Sequence, residues 1–254
     1  MFTPEELMRY GRHIALPGMG EDGQRRLAKA RVLLIGAGGL GSPVALYLAA
    51  VGVGHIRIMD ADIVEISNLQ RQVMYVTADT GKLKAQVMAA RMEQMNPHIT
   101  AEAITERFTG ENAEQQLQWC DVAIDAVDNL ETRYLLNDTA LAAGKPWVHG
   151  SVHQFIGQTA FFHPGAGPCY RCLYPDIYAA PSSAVEGIFS PVPGWIGTMQ
   201  ATQALNYLSG ANQVPTGILH TINAADMTTR HLKFDIDDDC VCQKTSLPDI
   251  AGQA

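Results

Sequence analysis

Long hydrophobic runs are missing from this chain: nowhere do about 18 apolar residues follow one another, the length a helix needs to cross a bilayer. A helical membrane span is thereby excluded. Positive charge is in short supply as well. With 18 Lys and Arg against 26 Asp and Glu the formal net charge is −8. That is the wrong sign for a protein that holds phosphodiester backbones or lies on anionic lipid, so neither nucleic acid nor membrane is an expected partner. The N-terminus, Met-Phe-Thr-Pro with Glu5 and Glu6, lacks the cations of a signal peptide. Five cysteines in 254 residues are too few for a disulfide scaffold. Both observations predict a cytoplasmic protein. Four of the thiols nevertheless fall in two close pairs, Cys169 with Cys172 and Cys240 with Cys242, which in a reducing compartment points to metal or redox chemistry. What remains is ordinary, with 47% apolar and 17% charged residues, enough for one large α/β domain or two small ones.

Turn residues then divide the chain. Pro4 to Leu16 reads as a helix ended by Pro17-Gly18, and Glu21 to Ala28 as a second. Arg31-Val-Leu-Leu-Ile-Gly36 is a continuous apolar run, the pattern of a central parallel strand covered on both faces. Gly36-Ala-Gly-Gly-Leu-Gly41 follows, then a helix opened by Ser42-Pro43 and closed at Gly52 and Gly54. A second strand, His55 to Asp60, completes a βαβ unit. Lys84 to Asn96 is a crossover helix with Met88, Met92 and Met95 as its buried stripe, stopped by Pro97. Asp121 to Ala126 and Trp147 to Gly150 are further strands, separated by a helix from Leu130 to Ala143. Beyond residue 150, Gln158 to Phe162 and Thr216 to Phe234 read as strands that extend the sheet in antiparallel fashion. Residues 174–193 form a long connection and Pro193 to Leu208 a last helix. The expected fold class is α/β, a doubly wound, Rossmann-like mixed sheet with a C-terminal antiparallel extension.

The glycines Gly36, Gly38, Gly39 and Gly41 lie between a strand and a helix start, a spacing that lets backbone N–H groups approach phosphate at a helix N-terminus. Asp60, at the end of the second strand, is placed for ribose hydroxyls. NAD and ATP both fit this loop. Arg71 and Lys84 close to it can neutralise a triphosphate, which favours phosphoryl chemistry. Asp128, at the carboxyl edge of a parallel strand, is a candidate Mg²⁺ ligand beside phosphate oxygens. Cys120, His149 and His153 read as structural residues.

These pieces sit in longer signatures. Met8-Arg-Tyr-Gly-Arg12, Gly36-Ala-Gly-Gly-Leu-Gly-Ser42, Ser67-Asn-Leu-Gln-Arg-Gln72, Asn96-Pro-His98, Asp128-Asn129 with Thr132-Arg133, Cys169-Tyr-Arg-Cys172 and Pro193-Gly-Trp-Ile-Gly197 resemble the ThiF/MoeB/HesA proteins, bacterial relatives of ubiquitin-activating E1 enzymes. The resemblance runs from about residue 5 to residue 243 and is slightly nearer to ThiF. It implies a single E1-like adenylation domain over 1–254, with N-terminal helices in 1–28, a nucleotide-binding core in 29–150, a carrier- and zinc-binding part in 151–243 and a tail in 244–254. It further implies a homodimer that uses ATP and Mg²⁺ to adenylate the C-terminal Gly-Gly of a ubiquitin-like sulfur carrier, ThiS-like or MoaD-like. Pyrophosphate is released, and sulfur comes from a separate donor enzyme. Carried across, Asp60 and Asp62 join the four glycines, Ser67, Asn68, Leu69, Gln70, Arg71, Lys84, Asp128 and Asn129 in the nucleotide site. Asp60 holds the ribose, Asn68, Arg71 and Lys84 meet phosphates, and Asp128 holds Mg²⁺ with Asn129 beside it. Arg12 reaches the ATP of the other subunit and completes a catalytic set with Arg71, Lys84 and Asp128. The resemblance also implies that Cys169, Cys172, Cys240 and Cys242 bind a structural Zn²⁺.

Two departures from the family pattern stand out. The second cysteine pair is C-x-C, one residue short of the usual spacing, although such a pair can still chelate zinc. The loop Pro181-Ser-Ser-Ala-Val-Glu-Gly187 has Ser183 nearest to the place where ThiF proteins carry a cysteine. A hydroxyl forms no persulfide or disulfide, so the expected reaction activates the carrier without a covalent bond to it. The competing readings are MoaD activation for molybdopterin, a carrier of another sulfur-metabolite pathway, a nucleotide-binding relative without turnover, and an NAD-linked oxidoreductase.

Overall fold

The computed structural model describes residues 2–175 and 187–243. Two helices come first, α1 (Pro4–Ile14) and α2 (Gly20–Lys29). Thr3 opens α1 with a capping box, in which Glu6 N donates to the Thr3 hydroxyl at 3.2 Å and Thr3 N to the Glu6 carboxylate at 2.8 Å. Strands and helices then alternate as β1 (Arg31–Ile35), α3 (Gly41–Val51), β2 (His55–Met59), α4 (Lys84–Met95), β3 (Thr100–Ile104), α5 (Ala113–Trp119), β4 (Val122–Asp125), α6 (Leu130–Ala143) and β5 (Trp147–His153). After them come β6 (Ile156–Phe162), the single turn α7 (Tyr170–Leu173), α8 (Pro191–Ser209) and the hairpin of β7 (Ile218–Asn223) and β8 (Thr228–Lys233). All eight strands make one sheet in the order β3-β2-β1-β4-β5-β6-β7-β8. It is parallel through β5 and antiparallel beyond.

The apolar run of β1 serves two cores at once. Val32 and Leu34 pack with Val44 and Leu48 of α3, Met88 of α4 and Ile196 of α8, while Leu33 and Ile35 pack with Leu117 of α5 and Leu136 of α6. Each such fully buried aliphatic side chain is worth about 1.5–3 kcal/mol against exposure. This two-sided burial is why β1 lies at the centre. The strand order reverses between β1 and β4, and their carboxyl ends open the crevice in which doubly wound sheets bind ligands.

The expected fold class is what the chain adopts, with some differences in its elements. Strand β3 and helices α5 and α7 are additional to the sequence reading. Thr-Ala-Glu-Ala-Ile of β3 carries no unbroken apolar run because the strand sits at the sheet edge with its side chains half covered. Helix α4 buries Met88 and Met92 fully, but Met95, the last residue of the helix, is 37% exposed. Helix α8 begins at Pro191, two residues before the expected Pro193. Cys120 is fully buried, and burial pushes its thiol up to about 12, so it is inert core. Ser183 lies outside the described residues.

Candidate nucleotide site and thiol cluster

The glycine loop joins β1 to α3, and its glycines answer to different constraints. A Cβ on Gly36, whose φ is +101°, would stand 2.4 Å from Ala126 O, and one on Gly41 would stand 2.2 Å from Gly36 O. Those two glycines let the turn close against the end of β4. Gly38 and Gly39 are freer. Near them lie Gln72 Nε2, 3.6 Å from a Cβ built on Gly38, and Pro193 and Arg71, 3.1 and 3.5 Å from one built on Gly39. Gln72 is buried, and among the described residues its Oε1 has no partner, which leaves an acceptor open beside the loop.

Asp60 ties the loop to β2. Its Oδ2 accepts from Ala37 N at 2.7 Å and its Oδ1 from Asp62 N at 2.8 Å. Burial raises its carboxyl above the ordinary range, against these two backbone bonds. A carboxylate has about four acceptor positions, so two remain for hydroxyl groups of a ligand. Tyr75, also buried, donates to Ala37 O at 2.7 Å and braces the loop from the other side. Lys84 opens α4 under the same edge. Its N–H bonds to Asp62 O at 2.9 Å, and its Nζ lies 3.5 Å from Asp62 Oδ2. Only 8% of that lysine side chain is exposed, so its charge is held at the edge of the crevice.

The segment from Ser67 to Gln72 folds into a tight turn with Gln72 N donating to Asn68 O at 3.0 Å and Arg71 Nη1 to Ser67 O at 3.3 Å. Leu69 packs on the core beside α3, and Gln70 accepts a hydrogen bond from Ser190 just ahead of α8. The turn therefore seats Arg71 against Gly39. Gly loop, Asp60, Asp62, Lys84 and Arg71 thus converge as expected from sequence. Arg12 does not join them: it is exposed on α1, and among the described residues no hydrogen bond ties it to this edge.

Across the crevice, Asp128 and Asn129 are exposed on the loop after β4. Asn129 is the N-cap of α6, its Oδ1 accepting from Thr132 N at 2.9 Å. Beneath this loop lies a network that sequence reasoning missed. Asp125, fully buried at the end of β4, accepts from Arg133 Nε at 3.0 Å and from His149 Nδ1 at 2.8 Å. Its other oxygen accepts from Val127 N at 3.1 Å, and Arg133 Nη2 donates to Val127 O at 2.6 Å and Gly150 O at 3.1 Å. Gln200 of α8 donates to Asp125 O at 2.6 Å. The residue before Asp128 is therefore clamped at both its N–H and its C=O. An acid ending an apolar strand with an arginine eight positions later was the available signal. His149, read from sequence as a structural residue, is fully buried on Asp125, and its Nε2 has no partner among the described residues.

At the far end of the same helix layer, the sulfurs of Cys169, Cys172, Cys240 and Cys242 all lie within 4.8 Å of one another. The separations are 3.9 Å for Cys169–Cys172 and 3.5 Å for both Cys169–Cys240 and Cys172–Cys242. Zinc–thiolate bonds of about 2.3 Å place tetrahedral sulfurs about 3.8 Å apart, so the four fit that ion, the short C-x-C pair included. Burial and the neighbouring thiols push Cys169 up to about 12, so four thiolates are not stable together there without a cation.

A ThiF family model matches residues 10–243. The chain belongs to the ThiF family. This ThiF family member is 45% identical over 239 residues to the sulfur carrier protein adenylyltransferase of Thermus thermophilus, covering 91% of the chain and 88% of that relative. It is 42% identical over 241 residues to the SAMP-activating enzyme E1 of Haloferax volcanii, covering 93% and 89%. Among solved structures, E. coli MccB with MccA-N7isoASN superposes at a TM-score of 0.85 with 20% identity, covering 95% of this chain and 75% of that one, a likeness of fold.

Proposed function

We infer that the protein is an ATP-dependent adenylyltransferase that activates the C-terminal Gly-Gly carboxylate of a ubiquitin-like sulfur carrier as an acyl-adenylate and releases pyrophosphate. The observation that carries this reading is the placement of the glycine loop, Asp60, Arg71 and Lys84 on one side of the strand-order reversal and Asp128 on the other. The near full-length relatives named as a sulfur carrier protein adenylyltransferase and a SAMP-activating E1 support the carrier.

In this reading the amides of Gly38 and Gly39 and the start of α3 receive phosphates, Asp60 takes the ribose, and Arg71 and Lys84 offset negative charge. Asp128 holds Mg²⁺, which when bound neutralises phosphate oxygens and orients the leaving pyrophosphate. The carrier carboxylate bonds to the α-phosphorus as the bond to pyrophosphate breaks. A carboxylate is already ionised, so alignment and charge neutralisation suffice and no general base is required. The carrier lies on the 151–243 half, where the apolar Phe155, Ile156, Phe189 and Met227 are exposed near the β5–β6 and β7–β8 turns. The four thiols hold a structural Zn²⁺. The active form is a homodimer with Arg12 donated across subunits, in the cytoplasm, where none of the five cysteines is held in a disulfide. The carrier is ThiS-like, in thiamine thiazole formation, and a separate enzyme supplies the sulfur.

Pyrophosphate exchange into ATP tests the reading, with purified ThiS-like and MoaD-like carriers, each with and without its terminal glycine. Exchange with the intact ThiS-like carrier alone is expected. Exchange with MoaD alone moves the pathway, and none with either, beside clear ATP binding, overturns the reading.

A further inference from the structure

We propose that Tyr170 is a positioning residue through which the thiol cluster holds the loop of Asp128 in place, an assignment that rests on the reading of that acid as the Mg²⁺ ligand. Tyr170 stands between two of the four thiols, on the turn that brings the sulfurs of Cys169 and Cys172 to 3.9 Å. Its backbone is tied to α6 as well, with its N–H donating to Oδ1 of the buried Asn137 at 2.9 Å. The turn therefore sends the ring into the core, where Tyr170 is 2% exposed.

What the ring meets there is His149. The two ring centroids lie 5.2 Å apart at an interplanar angle of 60°, and Trp147 flanks the same imidazole at 6.2 Å and 77°. One nitrogen of that imidazole is held and the other is not: Nδ1 donates to Asp125, while Nε2 is buried with no partner among the described residues. A ring with a single hydrogen bond owes its rotation to packing, and Tyr170 is the wall that the thiol turn supplies. Tyr134 and Phe162 close on Tyr170 at 5.3 and 6.0 Å, so a shift of the turn is passed to the imidazole rather than absorbed. Asp125 carries it further, since its other oxygen accepts from Val127 N at 3.1 Å, next to Asp128. Thiol turn, Tyr170, His149, Asp125 and Val127 thus form an unbroken series of contacts, the physical means by which two distant sites are coupled.

Two measurements on the whole protein test the coupling: hydrogen exchange of the peptide containing the Val127 amide, read by mass spectrometry, and the Mg²⁺ dependence of pyrophosphate exchange. Tyr170→Leu is expected to speed exchange in that peptide about tenfold and to raise the Mg²⁺ needed for half-maximal activity about tenfold, with β1 still slow to exchange. Tyr170→Phe keeps the ring and is expected to restore both. Stripping the metal from the wild type with a chelator that is then removed is expected to give the same two changes, and stripping Tyr170→Leu to add little to them. A Tyr170→Leu protein that loses stability while both readouts stay at wild-type values overturns the proposal, as does a metal-stripped wild type that keeps its Val127 protection. If Asp128→Ala leaves pyrophosphate exchange unchanged, the reading of Asp128 fails instead, and the Val127 amide decides the coupling alone.

Discussion

His149 donates from Nδ1 to the Asp125 carboxylate at 2.8 Å, and neither side chain is more than 1% exposed. Arg133 shares that carboxylate, so one buried acid neutralises a guanidinium and fixes an imidazole under the loop that carries Asp128. Removing one member of such a buried group leaves an uncompensated charge. Arg133→Met is expected to cost about 3–5 kcal/mol in urea unfolding, and Arg133→Met with Asp125→Asn to cost less than the sum of the two single changes.

The same pair sets a direction for pH. Burial lowers the His149 imidazole below its ordinary value of 6.5, with Asp125 opposing. Burial works to raise Asp125, but Arg133 and His149 outweigh it and hold the acid below 3.8. Both groups bind protons more readily unfolded than folded. Their contribution is therefore fully present above the ordinary values and is lost on acidification, through His149 first and through Asp125 below it. Urea midpoints measured between about pH 7 and pH 5 are expected to fall, and to fall less steeply in His149→Gln. An identical slope in that variant would exclude His149 as the source.

Asp128 is exposed, and among the described residues no hydrogen bond of the network beneath it uses its carboxylate. Asp128→Ala is expected to leave the thermal midpoint in place and to abolish Mg²⁺-dependent pyrophosphate exchange, a loss of more than about a hundredfold. Unchanged exchange would remove it from the metal role.

Sharing of active sites between subunits is tested by mixing. Arg12→Ala and Arg71→Ala dimers are each expected to be inactive. After subunit exchange roughly a quarter of the activity is expected back, from half of the dimers carrying one whole site each. No recovery in verified heterodimers would place Arg12 outside the partner's site.

For the thiols, zinc content and unfolding read the same site. Cys240→Ser is expected to lower bound zinc and to destabilise the fold by several kcal/mol. Chelation of the wild type should reproduce that loss, and a metal-free protein of unchanged stability would contradict it.

Much of the parallel half was legible because its signals are local: an unbroken apolar strand in β1, Ser42-Pro43 at a helix start, Gly52 at its end. The glycine loop and Asp60 follow the same logic, since each is defined by its distance along the chain from a strand end. What escaped was set by tertiary neighbours. β3 is stabilised by pairing with β2 more than by its own composition, and Asp125 looked like one more strand residue because Arg133 and His149 meet it only after the sheet has formed. Tyr170 escaped for a similar reason, as nothing in the spacing of residues 149 and 170 announces that they meet. The short C-x-C pair was open from spacing alone, since its fit depends on where β8 delivers Cys240 and Cys242.

The four thiols are also ordered in time. Cys169 and Cys172 are synthesised before α8, β7 and β8, whereas Cys240 and Cys242 emerge only after the last strand. An ion that requires all four can be locked in only once the antiparallel half is whole. A metal held by all four would then mark completion of that half, and without the hairpin the two early thiols would lack their partners.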